Sequence, residues 1–279
     1  MMPSLIHALV PVTENVPLAR STYRIRLQSP ELAEAICPGQ FVMARLPRTT
    51  DPLLGRPLAL YDTVLDAAGR AQEIDIVYLV VGKLTSALAG RRPGDLLEVW
   101  GPLGNGFPES PACDHVGLVA GGIGQTPFLA YVRELLGQRA YGGRQARRRA
   151  HNVSLFYGVR TADLAAGVED FRSAGAVVHL ASDDGTLGFC GFVTDLLRRH
   201  GPLPHLIGCG PEAMLMALKE IAAEWKVPCH VSLETPMACG VGICFSCVTR
   251  VKTHDGWDYR RVCLDGPVFD AETLAWPEP

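Results

Sequence analysis

The chain has 279 residues, 48% of them hydrophobic, and carries 26 Lys and Arg against 29 Asp and Glu, a formal net charge of −3. That length suits more than one modest domain. The mildly acidic balance argues against binding nucleic acid or an anionic membrane through bulk basicity, and no run of 18 unbroken apolar residues offers a membrane-spanning helix.

The N-terminal stretch MMPSLIHALVPVTENV has no basic leader and no long apolar core. No signal peptide is expected, and the chain reads as soluble and cytoplasmic. In that reducing compartment its nine cysteines point to metal ligation or burial rather than to disulfides. Up to about Pro111 the pattern is one of short strands. STYRIRLQ, FVMARLP, EIDIVYLVV and DLLEVWG are rich in branched and aromatic residues, with Gly and Pro punctuation at CPGQ, GRPL, RRPGD and GPLGNG. This rhythm predicts a small antiparallel β-barrel over residues 1–111. Arg56, between a glycine and a proline in GRPLALYD, is either a surface arginine beside a turn or a fork for a phosphate. Gly82 and Thr85, in VYLVVGKLTSAL, open a short helix that serves as an anion site or has an ordinary N-cap.

From His115 the rhythm changes. HVGLVAGGIGQTPFLAYVRELL reads as a buried strand, a glycine turn and an amphipathic helix. VSLFYGV and AVVHLAS read as strands, GFVTDLLRRH as a helix, and HLIGCGPEAMLMALKEIAAEW as the strand–turn–helix unit again. Strands alternating with helices predict a parallel sheet with right-handed crossovers over residues 112–226. The basic stretch Gly142–Ala150, GGRQARRRA, is short and Gly-flanked and reads as a solvated loop. Gly121, Gly122 and Gly124 let backbone approach a pyrophosphate at the start of the following helix, with the Thr126 hydroxyl at hand and Pro127 suited to the first turn. The turn lacks the full G-x-G-x-x-G fingerprint and reads equally as a plain tight turn. A second turn, Gly208-Cys209-Gly210-Pro211, ends another strand at the same carboxyl edge, where ligands gather in open parallel sheets.

Residues 227–279 are rich in Cys and Gly and show little helical periodicity. Cys239, Cys244 and Cys247 follow C-x4-C-x2-C, and Cys263 comes after fifteen further residues. This is the spacing of a plant-type [2Fe–2S] site, in which four thiolates converge on two irons and a glycine-rich loop aims N–H groups at the sulfurs. A structural zinc site is the alternative, although only Cys244 and Cys247 form the C-x2-C pair that zinc ribbons use twice. Cys37, Cys113, Cys190 and Cys229 have no ligand spacing and read as buried or partly buried thiols. The eight histidines form neither an i, i+4 metal pair nor a triad, and Glu234 is a loop anchor or an exposed charge. A [2Fe–2S] centre moves single electrons, so the other two regions are expected to hold its redox partners.

The succession RPLA, GKLT, GPLGNGF, GGIGQTP, CGP, MACGVGICFSC and RVCLDGPVF resembles the ferredoxin reductase-type flavoproteins. Within them it most resembles the electron-transfer subunits of class 1B dihydroorotate dehydrogenase. The likeness covers nearly the whole chain and is most specific from Met237 to Phe269; Gly101–Phe107 and Asp183–Asp195 share it. It implies three domains: an FAD-binding barrel (1–111), an NAD-binding α/β domain (112–226) and a [2Fe–2S] domain (227–279). It also implies a partner subunit that oxidises dihydroorotate at its own FMN, in a heterotetramer of two of each, for UMP synthesis. Electrons would pass through [2Fe–2S] to FAD and then to NAD⁺, so this chain needs no catalytic base. Arg56, Pro57, Leu58 and Ala59 fall on the family's Arg-Pro-x-Ser flavin motif, Ala59 standing where a hydroxyl is usual. Val77, Tyr78 and Leu79 match the second flavin segment, Leu79 standing where a basic residue is frequent. Leu84 and Thr85 match the third, usually Gly-Thr. Cys209, Gly210 and Pro211 fall where related reductases meet the nicotinamide; Cys209 reads equally as a small residue ending a strand. Asp183 and Asp184 favour NAD over NADP. Two other readings stay open: an NAD(P)H-dependent reductase subunit serving a ferredoxin, hydrogenase or oxygenase, and a cluster-bearing sensor without flavin.

Overall fold

A computed structural model describes residues 5–109 and 113–276 of the chain. The boundary expected between residues 111 and 112 lies outside the described residues.

The first unit comprises β1 (Ile6–Ala19), β2 (Thr22–Gln28), α1 (Pro30–Ala35), β3 (Phe41–Arg45), β4 (Arg56–Ala59), β5 (Asp62–Leu65), β6 (Ala71–Leu79), α2 (Lys83–Ala89) and β7 (Leu96–Leu103). Its strands form one antiparallel sheet in the order β4-β3-β7-β1-β2-β6-β5, curled so that β4 returns against β6. The curled sheet has a buried inner face: Ile25 and Leu27 on β2 and Leu97 and Val99 on β7 are buried, while Leu9 and Leu96 point out to solvent, and β6 is buried continuously from Ile74 to Tyr78. The GRPL segment, read as a turn, is the edge strand β4. An edge is where a sheet tolerates the missing N–H of Pro57.

The second sheet is built from β8 (Cys113–Gly121), α3 (Phe128–Leu135), β9 (Ala150–Val159), α4 (Val168–Ser173), β10 (Val177–Ser182), β11 (Phe189–Cys190), α5 (Val193–His200), β12 (His205–Cys209), α6 (Glu212–Trp225) and β13 (Cys229–Ser232). These strands are parallel, and the full order is β11-β10-β9-β8-β12-β13-β16. Helices cover both faces, which is why β8 and β9 are continuous buried runs (Val116 to Ala120, Val153 to Tyr157), apolar but for Ser154. The chain builds outward from β8 through β9, then returns to lay β12 on its other side. The carboxyl ends of β8 and β12 therefore form the switch point where such sheets bind ligands.

The C-terminal segment carries a hairpin, β14 (Val248–Thr253) and β15 (Gly256–Arg261), then α7 (Val262–Asp265) and β16 (Val268–Asp270). β16 pairs antiparallel with β13, so two strands after Val227 extend the parallel sheet.

Barrel and sheet are fastened by polar contacts. The Tyr61 hydroxyl donates to Asp170 at 2.7 Å, and the Tyr61 carbonyl accepts from the Ala130 N–H at 3.0 Å. Buried Asp62 meets Arg133 at 3.3 Å, Arg139 at 3.0 Å and the Tyr141 hydroxyl at 2.7 Å. The basic loop is only partly solvated: Arg147 and Arg148 are exposed, but Arg144 pairs with buried Glu134 at 3.2 Å and Arg149 with Glu109 at 2.6 Å. Among the described residues no helix is long and apolar enough to cross a membrane.

Candidate functional site

A cavity of about 870 Å³ lies where barrel, parallel sheet and C-terminal segment meet. The barrel supplies Arg56, Pro57, Leu58 and Ala59 from β4, Val77, Tyr78 and Leu79 from the end of β6, and Leu84 and Thr85 from α2. The sheet supplies Gly124, Thr126 and Cys209 from the two turns at the switch point. These twelve residues, scattered between positions 56 and 209, line one space.

The Thr85 hydroxyl accepts from the N–H groups of Val81 and Gly82 at 3.0 and 3.1 Å and starts α2. The Arg56 guanidinium donates to the Leu54 and Gly55 carbonyls at 3.3 and 3.0 Å, and among the described residues it has no carboxylate partner. It remains available to an anion. Lys83, also on the cavity, is bound to Asp51 at 2.8 Å, both side chains being exposed.

Gly121, Gly122, Gly210 and Pro211 are not among the lining residues; they make the joint behind the cavity. A Cβ on Gly121 would stand 2.7 Å from the Pro211 ring, and one on Gly210 would stand 2.9 Å from the Gly121 nitrogen. Gly122 takes φ +56. Gly124 is tightest of all, its backbone so close to Cys209 that a Cβ would lie 2.2 Å from the Cys209 carbonyl oxygen. The two turns can meet in this way only without side chains at these positions.

Cys209 faces the cavity beside Ser232 and Glu234. Burial first, then the Glu234 charge, pushes its thiol up to about 12 against a hydrogen bond with Ser232, so it is a neutral thiol at physiological pH. The third wall is the segment from Ser232 to Ala238 together with Ser246. Of these the sequence singled out only Glu234, as an anchor or exposed charge, and it is exposed at the cavity. No periodicity marks Ser232, Thr235, Met237 or Ser246; their one signal is proximity in sequence to the cysteine loop.

That loop brings the four spaced cysteines near one another: Cys244 senses Cys239, and Cys263 on α7 senses both Cys247 and Cys239. Val241 donates its N–H to Cys239 Sγ at 3.4 Å, and the Ser246 hydroxyl lies 3.1 Å from Cys244 Sγ. Hydrogen bonds from Ser246, then from Cys239, lower Cys244 to about 6, while burial, then Cys247, raises Cys263 to about 12. Among the described residues no three His, Cys, Asp or Glu side chains are arranged around a single ion. The spacing C-x4-C-x2-C-x15-C suits a two-iron cluster better than the doubled C-x2-C of a zinc ribbon. Of the remaining cysteines, Cys229 is buried and Cys37 and Cys113 are partly so, but Cys190 is exposed, because it ends the two-residue edge strand β11. His205 and His230 hydrogen-bond each other at 3.1 Å on neighbouring strands, away from the cavity lining.

A family model for the iron–sulfur cluster binding domain of dihydroorotate dehydrogenase B matches residues 234–275. The electron transfer subunit of dihydroorotate dehydrogenase B (NAD⁺) from Desulforamulus reducens is 34% identical over 262 residues, 93% of this chain and 94% of that one. The subunit of the same name from Bacillus caldolyticus is 38% identical over 257 residues, 91% and 93% of the two chains. Among solved structures, an NADH-dependent reduced ferredoxin-NADP oxidoreductase described for flavin-based electron bifurcation superposes with a TM-score of 0.79 at 29% identity, covering 96% of this chain and 90% of that one. Phthalate dioxygenase reductase, at 19% identity and TM-score 0.61 over 94% of both chains, shares the fold.

Proposed function

The chain belongs to the family of dihydroorotate dehydrogenase B electron-transfer subunits, and from that premise we propose that it relays electrons from the FMN of a catalytic partner subunit, through a [2Fe–2S] cluster and FAD, to NAD⁺. It is an oxidoreductase component; dihydroorotate oxidation, and the base it requires, belong to the partner. The observation that carries this reading is the single cavity walled by all three flavin segments, by the dinucleotide turn and by the stretch leading into the cysteine loop.

Bound flavin supplies the conversion between one-electron and two-electron carriers. The chain's own residues do the placing. Arg56, with no carboxylate partner among the described residues, would neutralise a flavin phosphate, Thr85 and the start of α2 would orient the same region, and Pro57, Leu58, Ala59, Val77, Tyr78 and Leu79 would form the ring's apolar bed. With Ala59 in place of a hydroxyl, backbone N–H groups are left to meet the ring. Gly124 and Thr126 would hold the pyrophosphate of NAD and Cys209 would meet its nicotinamide, the neutral thiol excluding water without reacting, while Gly121, Gly122, Gly210 and Pro211 would shape the two turns from behind. Cys239, Cys244, Cys247 and Cys263 would hold the cluster. The three-part division at residues 1–111, 112–226 and 227–279, the heterotetramer of two of each subunit, the cytoplasmic location and the role in UMP synthesis belong to the same proposal.

A second reading, a subunit exchanging electrons between ferredoxin and a pyridine nucleotide, is favoured only by the 29% identical oxidoreductase structure. One experiment separates them. Anaerobic purification with iron, sulfide and flavin analysis is followed by mixing with an FMN-containing dihydroorotate dehydrogenase catalytic subunit. Two irons, two sulfides and one FAD per chain, with NADH and orotate formed only in the mixture, support the relay. Full cofactor content with turnover only toward ferredoxin overturns it in favour of the second reading. Iron and sulfide without FAD would leave a cluster-only carrier.

A further inference from the structure

Trp100 stands where the flavin strand and the cysteine loop meet. It lies on β7, which is separated from β4 by β3 alone. Its ring presses on Gly55, the residue before Arg56; a Cβ there would be 2.7 Å from Cη2 of the indole. Its Nε1–H donates to the Cys239 carbonyl at 2.9 Å, across 139 residues of sequence. The loop it reaches is seated on the barrel at a second point. Gly240, with φ +73, rests on Met43 and Leu103 so closely that a Cβ would be 2.5 Å from Met43. Cys239 is thus held at both ends, its Sγ by the N–H of Val241 and its carbonyl by the barrel. The residue before it, Ala238, already lines the cavity.

We infer that Trp100 is the positioning residue of the relay, tying the cysteine loop to the flavin strand at one fixed separation and tuning the potential of the cluster through the Cys239 peptide. The inference rests on the relay reading. The physical reason is twofold. The indole N–H bonds the Cys239 carbonyl rather than its sulfur, and by drawing electron density toward that carbonyl it polarises the peptide beside the ligand, which favours the more negative, reduced state of the group the cysteine would hold. A rigid indole wedged between Gly55 and Cys239 also removes the slack between two segments that share no strand pairing. Hydrophobic packing alone would need only the ring; the hydrogen bond needs the indole nitrogen.

The test uses the cofactor-loaded protein. Trp100→Phe keeps a ring against Gly55 and loses the donor; Trp100→His keeps an N–H on a smaller ring; Met43→Leu alters packing under Gly240 and touches no hydrogen bond. Cluster midpoint potential, the EPR spectrum of the reduced cluster and the stopped-flow rate of its reduction by NADH are measured for each. The expected result is a lower potential, a shifted EPR spectrum and several-fold slower reduction in W100F, part of this regained in W100H, and the parent's potential in M43L. A W100F protein with the parent's potential, spectrum and rate overturns the inference, whatever its melting temperature. Equal potential shifts in W100F and M43L overturn it too, because packing alone would then explain them. A parent protein that binds iron and flavin but whose cluster NADH never reduces overturns the relay reading itself, and the inference with it.

Discussion

Gly124→Ala is the sharpest test of how the two turns cooperate. The new Cβ would stand 2.2 Å from the Cys209 carbonyl oxygen, 2.5 Å from its carbon and 2.8 Å from the Gly210 nitrogen, whereas ordinary contact begins near 3.4 Å. The turns must part by about 1.2 Å, the difference between 3.4 and 2.2 Å. All three obstructing atoms are backbone, on the end of a strand locked in register with β8 through Ala120 and Cys209. No side chain can swing aside, so the cost sits at the upper end of overpacking, about 3 kcal/mol. For a chain of this size that lowers the melting temperature by roughly 6–12 °C. Because Gly124 and Cys209 form the sheet wall and not the barrel wall, FAD content should hold while the KM for NADH rises at least tenfold. The assays are a thermal melt, flavin extraction and NADH:ferricyanide oxidation. Gly90→Ala is the control, since Gly90 has helical φ of −88 and its nearest contact is 3.7 Å away. A G124A protein that melts with the parent and keeps its KM would refute the close approach and the shared site built on it.

Other outcomes follow from single residues. Cys244→Ser and Cys263→Ser should each lose most of the iron, and Cys113→Ser should lose none, as read by iron per chain. Gln125 is fully buried, and among the described residues neither of its amide atoms has a hydrogen-bond partner; Gln125→Met removes that desolvation penalty and should stabilise by about 1 kcal/mol in urea unfolding, and a loss instead would show that the amide is satisfied by buried water. Burial, then the neighbouring His230, lowers buried His205 from 6.5 to about 4. The unfolded state then binds more protons than the native state below pH 6.5, so this contribution is complete above that pH and is lost as pH falls toward 4, by up to roughly 3 kcal/mol. In His205→Asn the decline in stability between pH 7 and 5 should be shallower than in the parent; equal slopes would show that His205 is not the acid-sensitive group. Ala59→Ser restores a hydroxyl to the cavity wall and should tighten FAD binding to the stripped protein, read by flavin fluorescence.

What the sequence disclosed is what depends on neighbours along the chain. Four cysteines at C-x4-C-x2-C-x15-C announce their chemistry because cluster ligation constrains spacing directly. Runs of branched and aromatic residues between Gly and Pro punctuation placed β2, β3, β6 and β7, and the apolar runs placed β8, β9 and β12, because strand burial writes itself into consecutive residues. The same logic failed for β1. Its fourteen residues hold prolines at 11 and 17, and although burial alternates from Ile6 to Thr13, apolar residues occupy both faces, as exposed Leu9 beside buried Val10 shows, so the sequence carries no alternation. It failed again for GRPL, where proline signals a turn unless one knows that the strand lies at an edge.

The parts that make the site work are the ones that local pattern cannot carry. Asp62, Arg139 and Tyr141 look like surface residues in a linear reading, yet they meet as a buried polar staple between barrel and sheet. Tyr61 looks like core and proves to be a joint as well, spending both its hydroxyl and its carbonyl on the other unit. Trp100 reads as one more apolar residue in a strand, and only the fold reveals that its nitrogen faces Cys239. Each of these contacts links segments tens of residues apart and fastens one part of the fold to another. A relay needs this, because electrons cross between cofactors that never touch. The chemistry of the sites is therefore legible in the motifs. The rigidity that sets the distances between them is carried by polar and aromatic residues that have no motif at all.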